Sequence, residues 1–260
     1  MTSKMFGKNL AVLCIFAAVT ADFSRADVSM TKHVKTGGIV SGEWTSKLRI
    51  KGLKMRIDTT ENGDNHVFIY DLDSGKAYRL DPKHKQVIVV DLKSASEHIK
   101  GGLLPDKLRR VIKETGNKRE IGGISCDEYT FDMQAPTAPS RGGTFVQHDS
   151  GTVCVSQTIP EGTEVTNFVL EAKKRGYTVA IGALSPSQSA IGPYFFGQQP
   201  NVMVLAASSE SNVNGPGTEL GAMTNVTTTF TMNDINSDAI PDEDFQIPPD
   251  WKQKKESAFR

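Results

Sequence analysis

The sequence predicts a mainly β protein of the α+β class, built on one antiparallel sheet. Three features carry that expectation. Between Glu43 and Leu92, apolar and polar residues alternate in five short runs, the period of a strand with one buried face. The links between those runs are too short to hold the crossover helices of a parallel sheet. Only one segment, about 164–175, shows a helical apolar face with signals at both ends.

The runs justify themselves in turn. Trp44, Leu48 and Ile50 alternate with Thr45, Lys47, Arg49 and Lys51 until Gly52 breaks the pattern, and Leu53, Met55 and Ile57 then alternate with Lys54, Arg56 and Asp58. Glu61-Asn62-Gly63-Asp64 is a hairpin signal, because Asn-Gly tolerates the positive φ such turns require. His66 to Leu72 forms a third run and Asp73-Ser74-Gly75 turns it. Lys76 to Leu80, closed by Asp81-Pro82, is the fourth, and Lys85 to Leu92 the fifth. A short helix is expected over Ser94 to Lys100. Leu108 to Thr115 is read as a strand ending at the Gly116-Asn117 turn, with Ile121 to Phe131 as the next. Extended structure resumes over Thr144 to Ser156, beyond the loop 135–143 with Pro136 and Pro139. In the helix, Thr163 is the expected N-cap, Glu164 suits the positive end of the dipole, and Lys173-Lys174-Arg175-Gly176 closes it. Asn201 to Ser211 and Met223 to Asn233 read as two further strands.

Between helix and strand, 177–200 reads as a loop. From Tyr177 through Ser209 there is no Asp, Glu, Lys or Arg. A loop this long inside a domain is usually a lid or a binding segment. Tyr194, Phe195 and Phe196 lie between Gly192-Pro193 and Gly197. They serve either as a lid over a ligand or as packing against the helix.

The N-terminus speaks for export. Lys4 and Lys8 precede an apolar run from Leu10 to Val19, and Ser24-Arg25-Ala26 offers small residues for cleavage before Asp27. The run is too short for a spanning helix. Residues 1–26 are therefore expected to be a signal peptide and 27–260 a single domain, periplasmic or secreted. Loss of Lys4, Lys8, Arg25 and Asp22 from 30 basic and 30 acidic residues leaves a net charge of −2. That balance argues against nucleic acid as a partner. Cys126 and Cys154 remain, an even pair in an oxidising compartment, and are expected to form a disulfide. Paired antiparallel, they centre a hairpin near residue 140, inside the Pro-bearing loop.

Catalytic chemistry finds no motif. His33, His66, His84, His98 and His148 lack metal-ligand spacing, and no nucleophile elbow or phosphate-binding glycine pattern occurs. Neither metal nor cofactor is expected. Lys47, Arg49, Lys51, Lys54 and Arg56 would form a solvated sheet face that discourages edge pairing, in preference to a patch for anionic head groups. Asp238, Asp242, Glu243 and Asp244 read as a solvated tail, since the glycine of a calcium loop is missing.

The string Ile50-Lys51-Gly52-Leu53-Lys54-Met55-Arg56-Ile57-Asp58 resembles a segment of a broad family of exported proteins with an uncharacterised domain. Ile69 to Tyr78, Leu80 to Lys85, the I-x-G-x-x-C-x-x-Y spacing over Ile121 to Tyr129, and Ile240 to Pro248 follow in that family's order. The plan is similar to outer-membrane lipoprotein carriers (LolA-like) and LppX-like folds, over roughly 30–250. The resemblance implies a strongly curved antiparallel sheet, an open half-barrel with helices packed in its concave face. It also implies a hydrophobic or lipidic ligand held between them. The arginine that locks the carrier's lid has no counterpart, Gly52 standing near its place.

The resulting expectation is a non-enzymatic binding protein. Inward candidates are Trp44, Leu48, Ile50, Met55, Ile57, Tyr78 and Leu80 from the strands and Phe168 from the helix, with Tyr194, Phe195 and Phe196 from the loop. The alternative is an envelope sensing or interaction module that binds a protein partner through 177–200.

Overall fold

Strand follows strand from the first residues that the computed structural model describes, which are 27–38, 41–102, 108–137, 145–179, 201–214 and 225–255. β1 (Val28–Gly38), β2 (Gly42–Lys51), β3 (Lys54–Glu61), β4 (Asp64–Asp71), β5 (Lys76–Asp81) and β6 (Gln86–Asp91) form a meander, followed by α1 (Leu92–Gly102). β7 (Arg109–Ile121), β8 (Ile124–Thr137) and β9 (Phe145–Ser156) form a second, followed by α2 (Gly162–Lys174). β10 (Met203–Asn214), β11 (Val226–Asn236), a 3-10 turn at Asp242–Phe245 and β12 (Lys252–Lys255) complete the chain. All twelve strands lie in one sheet, ordered β12-β6-β5-β4-β3-β2-β1-β11-β10-β9-β8-β7, with β12 and β7 as its two edges. β11 returns beside β1 and joins the two meanders; β12, beside β6, makes the parallel pair.

The sheet is open, and it wraps around α2. Laid flat, twelve strands would span roughly 50 Å, whereas the 13 residues of α2 reach about 20 Å. Side chains from β1, β2 and β3 on one side and β8, β9 and β10 on the other nevertheless share one apolar cluster with Phe168 of α2. A Cβ on Gly122, in the β7–β8 turn, would stand 3.3 Å from Asn233 Oδ1 on β11. This is the mainly β, open, curved sheet with helices on one face that the sequence led us to expect.

β1 is a strand that the sequence reading did not place. Val28, Met30 and Val34 point inward and are at most 1% exposed, but the inward position between Met30 and Val34 is taken by Lys32, which interrupts the apolar period. The Asn62-Gly63 turn forms as its sequence requires, with φ of 51° and 86°. The turn expected at Gly116-Asn117 does not. β7 continues through it with a register shift between Glu114 and Lys118, and the chain reverses at Gly122-Gly123, where φ is 57° and 80°. Two consecutive glycines meet the demand for positive φ more cheaply than Gly-Asn. Thr163 is not the N-cap of α2 either. Glu161 holds that place without a side-chain hydrogen bond, and Thr163 Oγ1 donates to Asn201 Oδ1 instead.

Cys126 and Cys154 are joined, with Cα atoms 5.5 Å apart. The bridge is diagonal. Cys154 faces Glu128 across the β8–β9 ladder, two residues along from Cys126.

The acidic tail is exposed at Asp238, Asp242 and Glu243, as expected, but it is tied to the sheet through Asp242 and the half-buried Asp244. Lys51 Nζ lies 2.7 Å from Asp242 Oδ1 and also donates to the Ile240 carbonyl. Arg49 bridges Asp58 and Asp244, each at 2.5 Å, and Arg56 binds Asp58 and the Asp244 carbonyl. Asp27 accepts from the Ile240 amide at 2.6 Å. The mutual hydrogen bond holds the Lys51 ammonium above its usual range and the Asp242 carboxyl below its own. Ile240 and Phe245 are buried beside these ions. Of the five basic residues expected on a solvated face, only Lys47 and Lys54 are exposed. The others fasten the C-terminal segment across the outer surface of β2 and β3.

Candidate functional site

Register sorts the expected site residues onto two faces. On the inner face, Val28, Ile50, Met55, Tyr70 and Ala77 stand opposite one another across β1 to β5. The next rung is Met30, Leu48, Ile57 and Phe68. Leu48, Ile50, Met55 and Phe168 are no more than 2% exposed and pack together with Val165 and Ala172 of α2. Trp44, Ile57 and Phe68 are half-buried.

Tyr78 and Leu80 are not on this face. Leu80 stands opposite Val67, and Tyr78 opposite Ile69. Together they form a separate cluster closed by Trp251 from the C-terminal segment. The sheet here is buried on both faces, and the two bulky residues of β5 go outward, leaving Ala77 inside opposite the large Tyr70. Tyr194, Phe195 and Phe196 lie outside the described residues. The chain leaves toward them and returns on the helix side, since Tyr177 and Val179 pack against the core and Val202 is 1% exposed within it.

Beyond the apolar rungs the inner face turns polar. Lys32 stands opposite Met232 on one side and Ser46 on the other; Ser46 stands opposite Thr59, and Thr59 opposite His66. Ser46 and Thr59 hydroxyls are 2.8 Å apart. Lys32 is 7% exposed, and its ammonium lies 4.8 Å from the centroid of the Phe230 ring. Burial lowers its pKa from 10.5 to about 8, because removing a charge from water favours the neutral form. On the far side of the sheet's seam, Asp149 of β9 is 0% exposed. Burial pushes its carboxyl up, against hydrogen bonds from Ser211 and Gln147 that pull it down.

A cleft of about 500 Å³ opens elsewhere, between the β7–β8 turn and β11, lined by residues including His33, Ile121, Ile124, Asn233 and Asp234. His33 Nδ1 contacts Thr45 Oγ1 at 3.0 Å, and Asp234 holds a φ of 52°. Among the described residues, no three His, Cys, Asp or Glu side chains gather as a metal site. No described helix is long and apolar enough to cross a membrane.

Sequence reasoning missed Lys32, Ser46, Thr59 and Phe230. The available signal was phase: Lys32 falls in step with Val28, Met30 and Val34, so it must point inward if 28–38 is a strand.

No family model and no curated protein matches the sequence. Among solved structures, the chain is similar to a LolA superfamily protein from Nitrosomonas europaea, at 8% identity and a TM-score of 0.30, over 86% of this chain and 91% of that one.

Proposed function

We propose that the chain is a non-enzymatic binding protein for a hydrophobic or lipidic ligand, periplasmic or secreted, which takes its ligand on the inner face of the sheet beside α2. The observation that supports this reading is the composition of that face. Apolar rungs floored by Leu48, Ile50, Met55 and Phe168 step up to the half-buried Ile57 and Phe68, then to a polar rung, with the half-buried Trp44 beyond it. An apolar wall with a few convergent polar groups is the usual make-up of a small-molecule site. Tyr194, Phe195 and Phe196 are proposed to complete the site from the loop. The mature chain is proposed to begin at Asp27, whose carboxylate is already tied to the Ile240 amide.

Native mass spectrometry of protein purified from its own host, followed by organic extraction, tests the reading. The expected result is an extractable acyl or other apolar species in substoichiometric to equimolar amount, together with saturable binding of a fluorescent fatty-acid probe. A bare mass with no probe binding would overturn it.

A further inference from the structure

Lys32 is placed where a sheet normally puts a hydrophobe. It occupies an inward position of a central strand, between Met30 and Val34, and is 7% exposed. The residues directly opposite it are Ser46 and Met232, so neither neighbouring strand offers it a carboxylate. The ion pairs of β2 and β3 lie on the outer face, with Arg49, Lys51, Arg56 and Asp58. What the ammonium meets is the Phe230 ring at 4.8 Å. A π face attracts a cation but does not discharge it.

The rung beside it supplies hydrogen-bonding capacity. Ser46 lies opposite Lys32, which puts their Cβ atoms about 5 Å apart. In the Ser46–Thr59 contact of 2.8 Å one hydroxyl donates to the other. The donor's proton is consumed and the acceptor's remains to be given to a third group. One buried cation and one spare hydroxyl proton converge, flanked by the half-buried Trp44 and Ile57. A monoanion fits that inventory; a dianion would leave a charge uncompensated.

We infer that Lys32, with the Ser46–Thr59 hydroxyl pair, anchors the monoanionic head group of an acyl amphiphile, a carboxylate or a phosphodiester, whose chain runs along the neighbouring apolar side chains. The inference rests on the proposed binding function and adds the head-group chemistry to it. Burial alone lowers the lysine's affinity for its proton, and an anion beside it restores the charged state, so ligand and ammonium stabilise each other.

Binding constants of oleate, oleyl alcohol, lysophosphatidylglycerol, monoolein and acetate are measured on the wild-type chain, Lys32→Met and Lys32→Arg. Wild type should bind at least one of the two charged amphiphiles ten-fold or more tightly than its neutral counterpart. Lys32→Met should erase that preference while binding oleyl alcohol and monoolein as before, and Lys32→Arg should keep part of it. A preference confined to oleate identifies a carboxylate, and one confined to the lysophospholipid a phosphodiester. Acetate should bind at least a hundred-fold more weakly than the preferred charged amphiphile; equal affinity would overturn the amphiphile and leave a small-anion site. Neutral and charged amphiphiles binding wild type equally would overturn the inference and leave the proposed function standing. No amphiphile binding at all would overturn both.

Discussion

Replacing Lys32 by Met should stabilise the protein, and by an amount that depends on pH. Lys32 is protonated in both folded and unfolded chains at pH 7, but only the folded chain holds that charge in the interior, 7% exposed. The gap between the ordinary 10.5 and about 8, at roughly 1.4 kcal/mol per pH unit, is a cost of about 3 kcal/mol. Its sign follows from proton binding. Between pH 8 and 10.5 the unfolded chain binds more protons at this residue, so stability rises with pH across that window. The cost is present in full below pH 8 and is relieved by pH 10.5. Met fills nearly the same volume without a charge. It forfeits the contact with Phe230, which offsets about 1 kcal/mol. Urea unfolding at pH 7 should therefore find Lys32→Met more stable by about 2 kcal/mol. The difference between variant and wild type should shrink by about 2–3 kcal/mol at pH 10.5, where every other titrating group cancels in the comparison. A variant that is less stable at pH 7, by an amount unchanged at pH 10.5, would show the ammonium to be solvated or paired and would refute the reasoning.

Other expectations come from the two faces and their fastenings. Reducing the Cys126–Cys154 bridge, which closes a sequence separation of 28 residues, should cost about 3–4 kcal/mol by the chain-entropy model; thiol titration of the unreduced chain should find no free thiol at either position. Leu80→Ala should cost about 2–4 kcal/mol as a core truncation and leave fatty-acid probe binding unchanged, because Leu80 belongs to the outer cluster under Trp251; loss of probe binding without loss of stability would contradict that placement. Asp244→Asn removes one of the two carboxylates on Arg49 and should cost about 1–2 kcal/mol, with faster hydrogen exchange over 240–255 as its local signature.

How much of this was legible in the sequence follows from the range of the forces involved. The β2 to β6 meander was readable because alternation and Asn62-Gly63 are local signals, and the turn takes the positive φ those residues permit. The disulfide was readable from compartment and parity, although its diagonal placement depends on a register that spacing alone leaves two residues out. Asp244 was read as solvated with the rest of the tail because it finds Arg49 across 195 residues of chain. No window of sequence contains that pair. Tyr78 and Leu80 were expected inward on the premise that a strand buries one face only. Trp251, arriving from the C-terminus, buries the other face and reverses the preference. The polar part of the candidate site was hidden for a related reason. Lys32 breaks the apolar period of β1, and it is the same inward charge to which we assign the head-group chemistry. Sequence patterns encode the generic fold, so a residue that departs from them for binding erases its own element from view.

The central claim is that ligand lies on the inner face beside α2, and photoaffinity mapping tests it most directly. A fatty acid carrying a diazirine along its chain is equilibrated with the protein, irradiated, and the modified peptides are sequenced. The account predicts labelling at inward positions of β2 to β4, at Trp44, Ile57 and Phe68, competed by unlabelled oleate. Label confined to Tyr78, Leu80 and Trp251, or label that oleate does not compete, would contradict it.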